Sequence, residues 1–143
     1  MRITFDTNVI LDNLLDRGDF ADTSTRVLEL ARVGKIAGFI TANTITDIYY
    51  IVMKSIRDDQ KARLILQKML VSFDIIDVSS RDIQKALFSP MVDFEDALLA
   101  ACAHRIKSDL IVTRNQDDFV DSPVVAITPE AFLKQWMGTD ILT

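Results

Sequence analysis

Arg2-Ile3-Thr4-Phe5-Asp6-Thr7-Asn8-Val9-Ile10-Leu11-Asp12 decides how the chain is read, because the spacing of its apolar residues changes at the first acid. Residues 2–6 have the character of a short strand, whereas Thr7 to about Asp16 places Val9, Leu11 and Leu14-Leu15 on one side of a helix. Outward from this unit the alternation repeats. A helix from Asp19 to about Val33 carries Val27, Leu28, Leu30 and Ala31 at helical spacing and is stopped by Gly34. Ile36–Thr41 reads as a second strand, followed by helices over about Asn43–Ile56 and Asp58–Val71. Phe73–Val78 is a third strand, Ser80–Phe88 a short helix stopped by Pro90, and Asp93–Lys107 a strongly apolar helix. Asp109–Thr113 and Val124–Ile127 complete the strands, and a last helix over Pro129–Met137 starts with Thr128 as N-cap and proline at its first position.

Strands separated by helices, with nearly continuous apolar runs such as Leu110-Ile111-Val112 and Val124-Val125-Ala126-Ile127, describe a mostly parallel sheet covered on both faces. The expected class is α/β: a three-layer α/β/α sandwich with a sheet of about five strands, formed by one domain over residues 1–143. The longest apolar runs, Ala97–Ala103 and Ile48–Met53, fall far short of the roughly 20 residues that span a bilayer. The N-terminus lacks the apolar run of a signal peptide, and the single cysteine, Cys102, excludes an internal disulfide or a multi-cysteine zinc site. A cytoplasmic address and a buried, structural Cys102 are expected. Sixteen Lys and Arg against 21 Asp and Glu leave a net charge of −5 and a pI near 4.7, which argues against a protein that holds nucleic acid mainly by a basic surface.

Open parallel sheets place ligands at the carboxyl ends of their strands, and acids gather at those places here. Asp6 closes the first strand, Asp47 sits in the first turns of a helix, and Asp93 and Asp96 open the most apolar helix. Asn115, Asp117 and Asp118 follow the fourth strand. Taken singly, each has a plain explanation as a helix cap: Asp6 before its helix, Thr44 with Asp47 as a capping box, Asp93 with Asp96 as another. Caps explain less when taken together, since Asp96 leads directly into seven apolar residues and shares a helix face with Leu99 and Ala100. Two carboxylates about 4 Å apart repel by about 4 kcal/mol at an effective dielectric of about 20, so a cluster of them needs neutralising. An all-oxygen site suits Mg²⁺ or Mn²⁺ rather than zinc, and the one histidine, His104, stands alone and reads as a helix-surface residue. A divalent cation in such a site polarises a phosphoryl oxygen and acidifies a water, the chemistry of phosphodiester hydrolysis. It would also bridge an acidic protein to an anionic substrate.

Phe5-Asp6-Thr7-Asn8-Val9-Ile10-Leu11-Asp12, Thr44-Ile45-Thr46-Asp47, Asp93-Phe94-Glu95-Asp96-Ala97-Leu98 and Ile111-Val112-Thr113-Arg114-Asn115 with Asp118-Phe119 resemble the PIN-domain family in order and spacing. The resemblance implies a parallel sheet of about five strands and a Mg²⁺- or Mn²⁺-dependent ribonuclease. It implies Asp6, Asp47 and Asp96 as catalytic acids and metal ligands, with Asp47 standing where the family usually has Glu. Asn115 falls at the fourth acidic position, so Asp118 is a substitute there and Asp93 a further candidate ligand. Asn8 and Thr113 match the polar residues that orient the first aspartate and the attacking water, and Arg114 and Asn115 join them as candidate substrate contacts. Arg17, Lys54, Arg57 and Lys61, with Arg114, are candidates for phosphate contacts, or ordinary solvated helix ends. Many small relatives are toxins of toxin–antitoxin pairs, so the resemblance also implies an RNA substrate, an antitoxin partner and a homodimer. The rival reading is a catalytically weak PIN fold that binds RNA or protein. A haloacid-dehalogenase phosphatase needs an acid where this chain has Asn8, and a phospho-receiver needs a late lysine that residues 114–118 lack.

Overall fold

The computed structural model describes residues 1–142, with side chains described through residue 138. The chain begins β1 (Arg2–Phe5), α1 (Thr7–Leu14), α2 (Gly18–Arg32), β2 (Ala37–Thr41), α3 (Ala42–Ile56) and α4 (Asp59–Leu70). It continues β3 (Asp74–Ile76), α5 (Ser80–Leu87), α6 (Phe94–Arg105), β4 (Leu110–Val112), a 3₁₀ turn (Gln116–Phe119), β5 (Ala126–Ile127) and α7 (Pro129–Leu142). The five strands lie in the order β3-β2-β1-β4-β5 and every pairing is parallel, so the sheet is wholly rather than mostly parallel.

Parallel neighbours need crossovers, and the preferred hand of those crossovers moves the helices to the other face when strand addition reverses direction. The chain adds β2 and β3 on one side of β1, then returns to add β4 and β5 on the other. Two buried clusters follow from this. One joins Ile3 and Phe5 of β1 to Val9, Val27, Ile48, Leu66 and Phe132 from the helices α1 to α4 and α7. The other joins Ile111 of β4 to Ala86 of α5 and to Leu99, Cys102 and Ala103 of α6. Adjacent residues Ile111 and Val112 fall in different clusters, as the two-residue period of a strand covered on both faces requires. Cys102 is buried as expected, its thiol pushed up to about 12 by burial and by nearby Asp82. His104 is exposed in the last turn of α6.

Several boundaries differ from the sequence reading, each for a local reason. Gly34 does follow the end of α2, at φ +79, but Thr44 caps nothing. Strand β2 runs directly into α3 with Thr41 at the N-cap position, so Thr44 is buried and its hydroxyl meets that of Thr41 at 2.7 Å. Strand β5 keeps only two residues, because the Ser122 hydroxyl donates to the carbonyl of Val124 and accepts its N–H, holding that residue off the ladder. Strand β3 stops at Ile76, and the next carbonyl, that of Asp77, is taken by the Arg105 guanidinium. The 3₁₀ turn after β4 had no counterpart in the sequence pattern.

Gly38 of β2 lies close against the first cluster: a Cβ there would stand 2.7 Å from Phe73 Cδ1 and 3.1 Å from Ala31 Cβ. Phe73 cannot easily retreat, since its ring packs edge-on to Phe5 with centroids 5.5 Å apart. Gly38→Ala is therefore expected to destabilise the fold by about 1–3 kcal/mol in urea denaturation, and Phe73→Leu in the same chain should recover part of that loss. Unchanged stability of Gly38→Ala would mean that the ring is free to move.

Candidate active site

The site grows from the point where the sheet changes direction. Strands β1 and β4 are adjacent in space and pair Phe5 with Val112, so both chains leave the sheet side by side. A crevice opens at such a point because the following segments depart to opposite faces. Asp6 is the first residue beyond β1 and its N–H still donates to the carbonyl of Val112 at 3.0 Å. Its side chain caps α1, with Oδ1 accepting the N–H of Thr7 at 2.8 Å. Oδ2 accepts the Thr113 hydroxyl at 2.8 Å and, more weakly, Asn8 Nδ2 at 3.4 Å. The Thr113 hydroxyl accepts the N–H of Asn115 at 3.1 Å, which leaves its proton for Asp6. Asp6 thus caps α1 with one oxygen while its carboxylate lines the cleft, so capping does not take it away from that opening.

A cleft of about 410 Å³ opens on this carboxylate. Asp6 and Asn8 from the β1–α1 junction, Asp47 from α3 and Asp96 from α6 all line it, together with Asn115 and Arg17. Glu95 and Tyr50 line it as well, although neither stood out in the sequence. Tyr50 lies one helical turn after Asp47, so the i, i+3 rule that puts both on one face was the available signal. Glu95 was masked by its neighbour Asp96. A second groove, of about 370 Å³, shares Asp96 with the first and is lined by Asp93, Asp118, Asp117 and Asp121. Asp93 also caps α6, accepting the N–H of Asp96 at 2.9 Å.

Thr113 is fully buried and reaches the cleft only through Asp6. Arg114 is not brought to the cleft. Its guanidinium turns to Asp12 on α1, Nε to Oδ2 3.1 Å, and lies over the Phe20 ring at 4.5 Å from the centroid. Lys54, Arg57 and Lys61 are exposed and lie outside the residues lining either groove. Of the basic candidates, only Arg17 faces the acids.

Charge is the dominant property of this region. Burial raises the Asp6 carboxyl above its ordinary range, the Thr113 and Thr7 hydrogen bonds pull it down, and Asp118 and Asp93 push it up again. Asp96 is pushed up to about 7 by burial and then by Asp6, Asp93, Asp118 and Glu95. Asp82, buried at the start of α5, shows the contrast. Burial raises it, but Arg105 and Ser79 outweigh that with hydrogen bonds and hold it at about 2. Among the described residues, no three Asp, Glu, His or Cys side chains are drawn together closely enough to hold an ion as they stand. The donor chemistry and the uncompensated charge suit a hard divalent cation, with Asp6, Asp47 and Asp96 presenting oxygens to one space.

Comparisons with known proteins agree with this architecture. Among solved structures, VapBC2 from Rickettsia felis bound to a DNA fragment from its promoter matches over 90% of this chain and 98% of the matched chain, at TM-score 0.70 and 20% identity. A toxin–antitoxin complex from Klebsiella pneumoniae matches over 89% and 97%, at TM-score 0.67 and 24% identity. DNA-bound VapBC from Salmonella typhimurium matches over 90% and 98%, at TM-score 0.68 and 14% identity. At these identities the likeness is one of fold. A search of curated protein sequences finds no match. The sequence model described as "PIN domain" matches residues 2–117, which include every strand but the last and all the acids of the cleft, and the chain belongs to the PIN-domain family.

Proposed function

We propose that residues 1–143 act as one nuclease domain, a Mg²⁺- or Mn²⁺-dependent endoribonuclease serving as the toxin of a toxin–antitoxin pair. The observation that carries this reading is the cleft at the strand switch, where Asp6, Asp47 and Asp96 share one space and Asp6, Asp93, Asp118 and Glu95 all push the Asp96 carboxyl up. Such a cluster is unfavourable by itself and becomes favourable with a cation, which an acidic chain also needs in order to hold a polyanion. In this reading Asp6, Asp47 and Asp96 hold the ion, with Asp93 and Asp118 reached through the adjoining groove. The cation, when bound, supplies the Lewis acidity that polarises a phosphoryl oxygen and acidifies a water.

The chain's own residues supply position. Thr113 and Asn8 fix the Asp6 carboxylate by donating to it, so its free lone pairs face the cleft rather than rotating away. Asn115 and Arg17 line the same space with an amide and a cation suited to phosphate oxygens. Tyr50, 70% exposed at the cleft, offers an aromatic face on which a base of a single strand stacks. RNA as the substrate and the homodimer are carried over from the family resemblance, and the antitoxin partner is supported also by a similar fold solved as a toxin–antitoxin complex. No helix among the described residues is long and apolar enough to cross a membrane, and the single free cysteine suits a reducing cytoplasm. The rival, a PIN fold that binds without cleaving, draws on the absence among the described residues of three acids already drawn together.

Cleavage of single-stranded RNA with Mn²⁺ decides between these two readings, with DNA of the same sequence as the second substrate. The native chain should cut RNA, a chelator should stop it, and Asp6→Asn and Asp96→Asn should each lower turnover on the order of 100-fold or more. Equal, metal-independent traces for the native chain and Asp96→Asn would leave binding as the function.

The electrostatics give a separate test on the metal-free chain. The folded carboxyl of Asp96 sits at about 7, above its unfolded range, so the folded state holds the proton more tightly. That contribution is fully present below about pH 4 and is lost as pH rises through 7. Asp96→Asn should therefore be more stable than the native chain at pH 8, by on the order of 1–2 kcal/mol after solvent screening, and the gap should close toward pH 4. A gap that does not change with pH would mean that Asp96 is neutralised by a partner of its own.

A further inference from the structure

Helix α1 carries Asn8 and Asp12 one turn apart, so both side chains leave the same face of the helix. Both engage one residue. Asn8 Oδ1 accepts the backbone N–H of Arg114 at 3.2 Å, while Asp12 Oδ2 lies 3.1 Å from Arg114 Nε. The Asp12 side chain is 1% exposed and that of Arg114 32%, and Phe20 of α2 covers the face of the guanidinium. The neighbours of Asp12 on the helix, Val9, Ile10 and Leu11, are all buried and apolar. A buried carboxylate in that company is unfavourable and adds little net stability even when paired, so packing alone does not account for it.

What the pair does hold is the turn that follows β4. Thr113 on one side of Arg114 donates its hydroxyl to Asp6, and Asn115 on the other side orients that hydroxyl with its N–H. Asn8, which grips the Arg114 backbone, donates to the same Asp6 oxygen. We propose that Asp12 and Arg114 are positioning residues: the ion pair between the buried carboxylate and the half-buried guanidinium clamps residues 113–115 to α1, so that Thr113 and Asn8 hold the Asp6 carboxylate in one orientation. The effect on turnover rests on the role proposed for Asp6. The effect on the turn itself does not.

The clamp and a phosphate-contact role for Arg114 predict opposite behaviour. Removing the Asp12 charge would free a phosphate-binding arginine, so KM for RNA would fall or stay level while kcat held, whereas it would loosen a clamp. The test uses the full chain with Asp12→Asn, Arg114→Met, the double variant, and Arg114→Lys as the conservative change. In metal-free protein, amide hydrogen exchange at Arg114 and Asn115 should quicken about tenfold or more in Asp12→Asn and Arg114→Met, while Val27 and Ala100 in the two cores keep their rates. With Mn²⁺ and RNA, kcat should fall about 10- to 100-fold with KM within about twofold, and the double variant should be no worse than the poorer single. Arg114→Lys should recover part of both effects. Unchanged exchange in folded variants, losses confined to KM, or additive losses would overturn the proposal. If Asp12→Asn does not fold, the two Arg114 variants carry the test. If the native chain cuts no RNA, the exchange rates still decide the clamp, and only the proposed activity fails.

Discussion

The parallel pairing of β1 with β4 is the constraint on which the rest depends. It puts the ends of two strands that are distant in sequence side by side, and the N–H of Asp6 extends the ladder by one bond to Val112. Asp6, Asn8 and Asn115 are placed by that junction, while α3 after β2 and α6 before β4 bring Asp47 and Asp96 to the same opening. Asp6 caps α1 and receives Thr113 because the two segments emerge in register. Had β4 joined the other edge of the sheet, Thr113 would lie far from Asp6, and α6 would have no reason to bring Asp96 to the same opening.

Two acids in nearly the same local setting show how the chain separates stability from chemistry. Asp82 and Asp96 both lie in the first turn of a helix and three residues after a capping side chain, and burial raises both. Asp82 has Arg105, which also takes the Asp77 carbonyl and so ties α6 to the end of β3 and the start of α5. Asp96 has no ion-pair partner among the described residues, and Asp6, Asp93, Asp118 and Glu95 all raise it. The first is held at about 2 and braces the fold, while the second is pushed up to about 7, so that its ionised form is unfavourable in the folded chain. A cluster of acids of this kind is costly to the fold that carries it, which is the property from which the proposed role of the cleft is argued.

Much of this was legible before any coordinates. The strand-to-helix change at Asp6 and the acid leading into the apolar run at Asp96 located both ends of the cleft, since a parallel sheet leaves few places for such residues. Gly34 and Thr128 marked their helix boundaries through backbone geometry and capping that depend only on local sequence. Non-local causes were not legible. Arg114 looked like a phosphate contact because nothing in its neighbourhood names Asp12 as its partner, and Thr44 looked like a cap because the missing loop between β2 and α3 leaves no mark on the sequence. The shortness of β3 and β5 had the same origin: Arg105 and Ser122 divert backbone groups that a propensity reading assigns to the ladder.

Those trimmed strands have a further effect. With β3 reduced to three residues at one margin and β5 to two at the other, the sheet exposes almost no continuous row of unpaired backbone donors and acceptors. An edge so short is a poor template for another chain to lengthen, and it guards a parallel sheet against fibre-like stacking while it folds. Lengthening of the sheet by a second chain is thereby disfavoured, and contact with a partner falls to the side chains at the strand ends and on the helical layers.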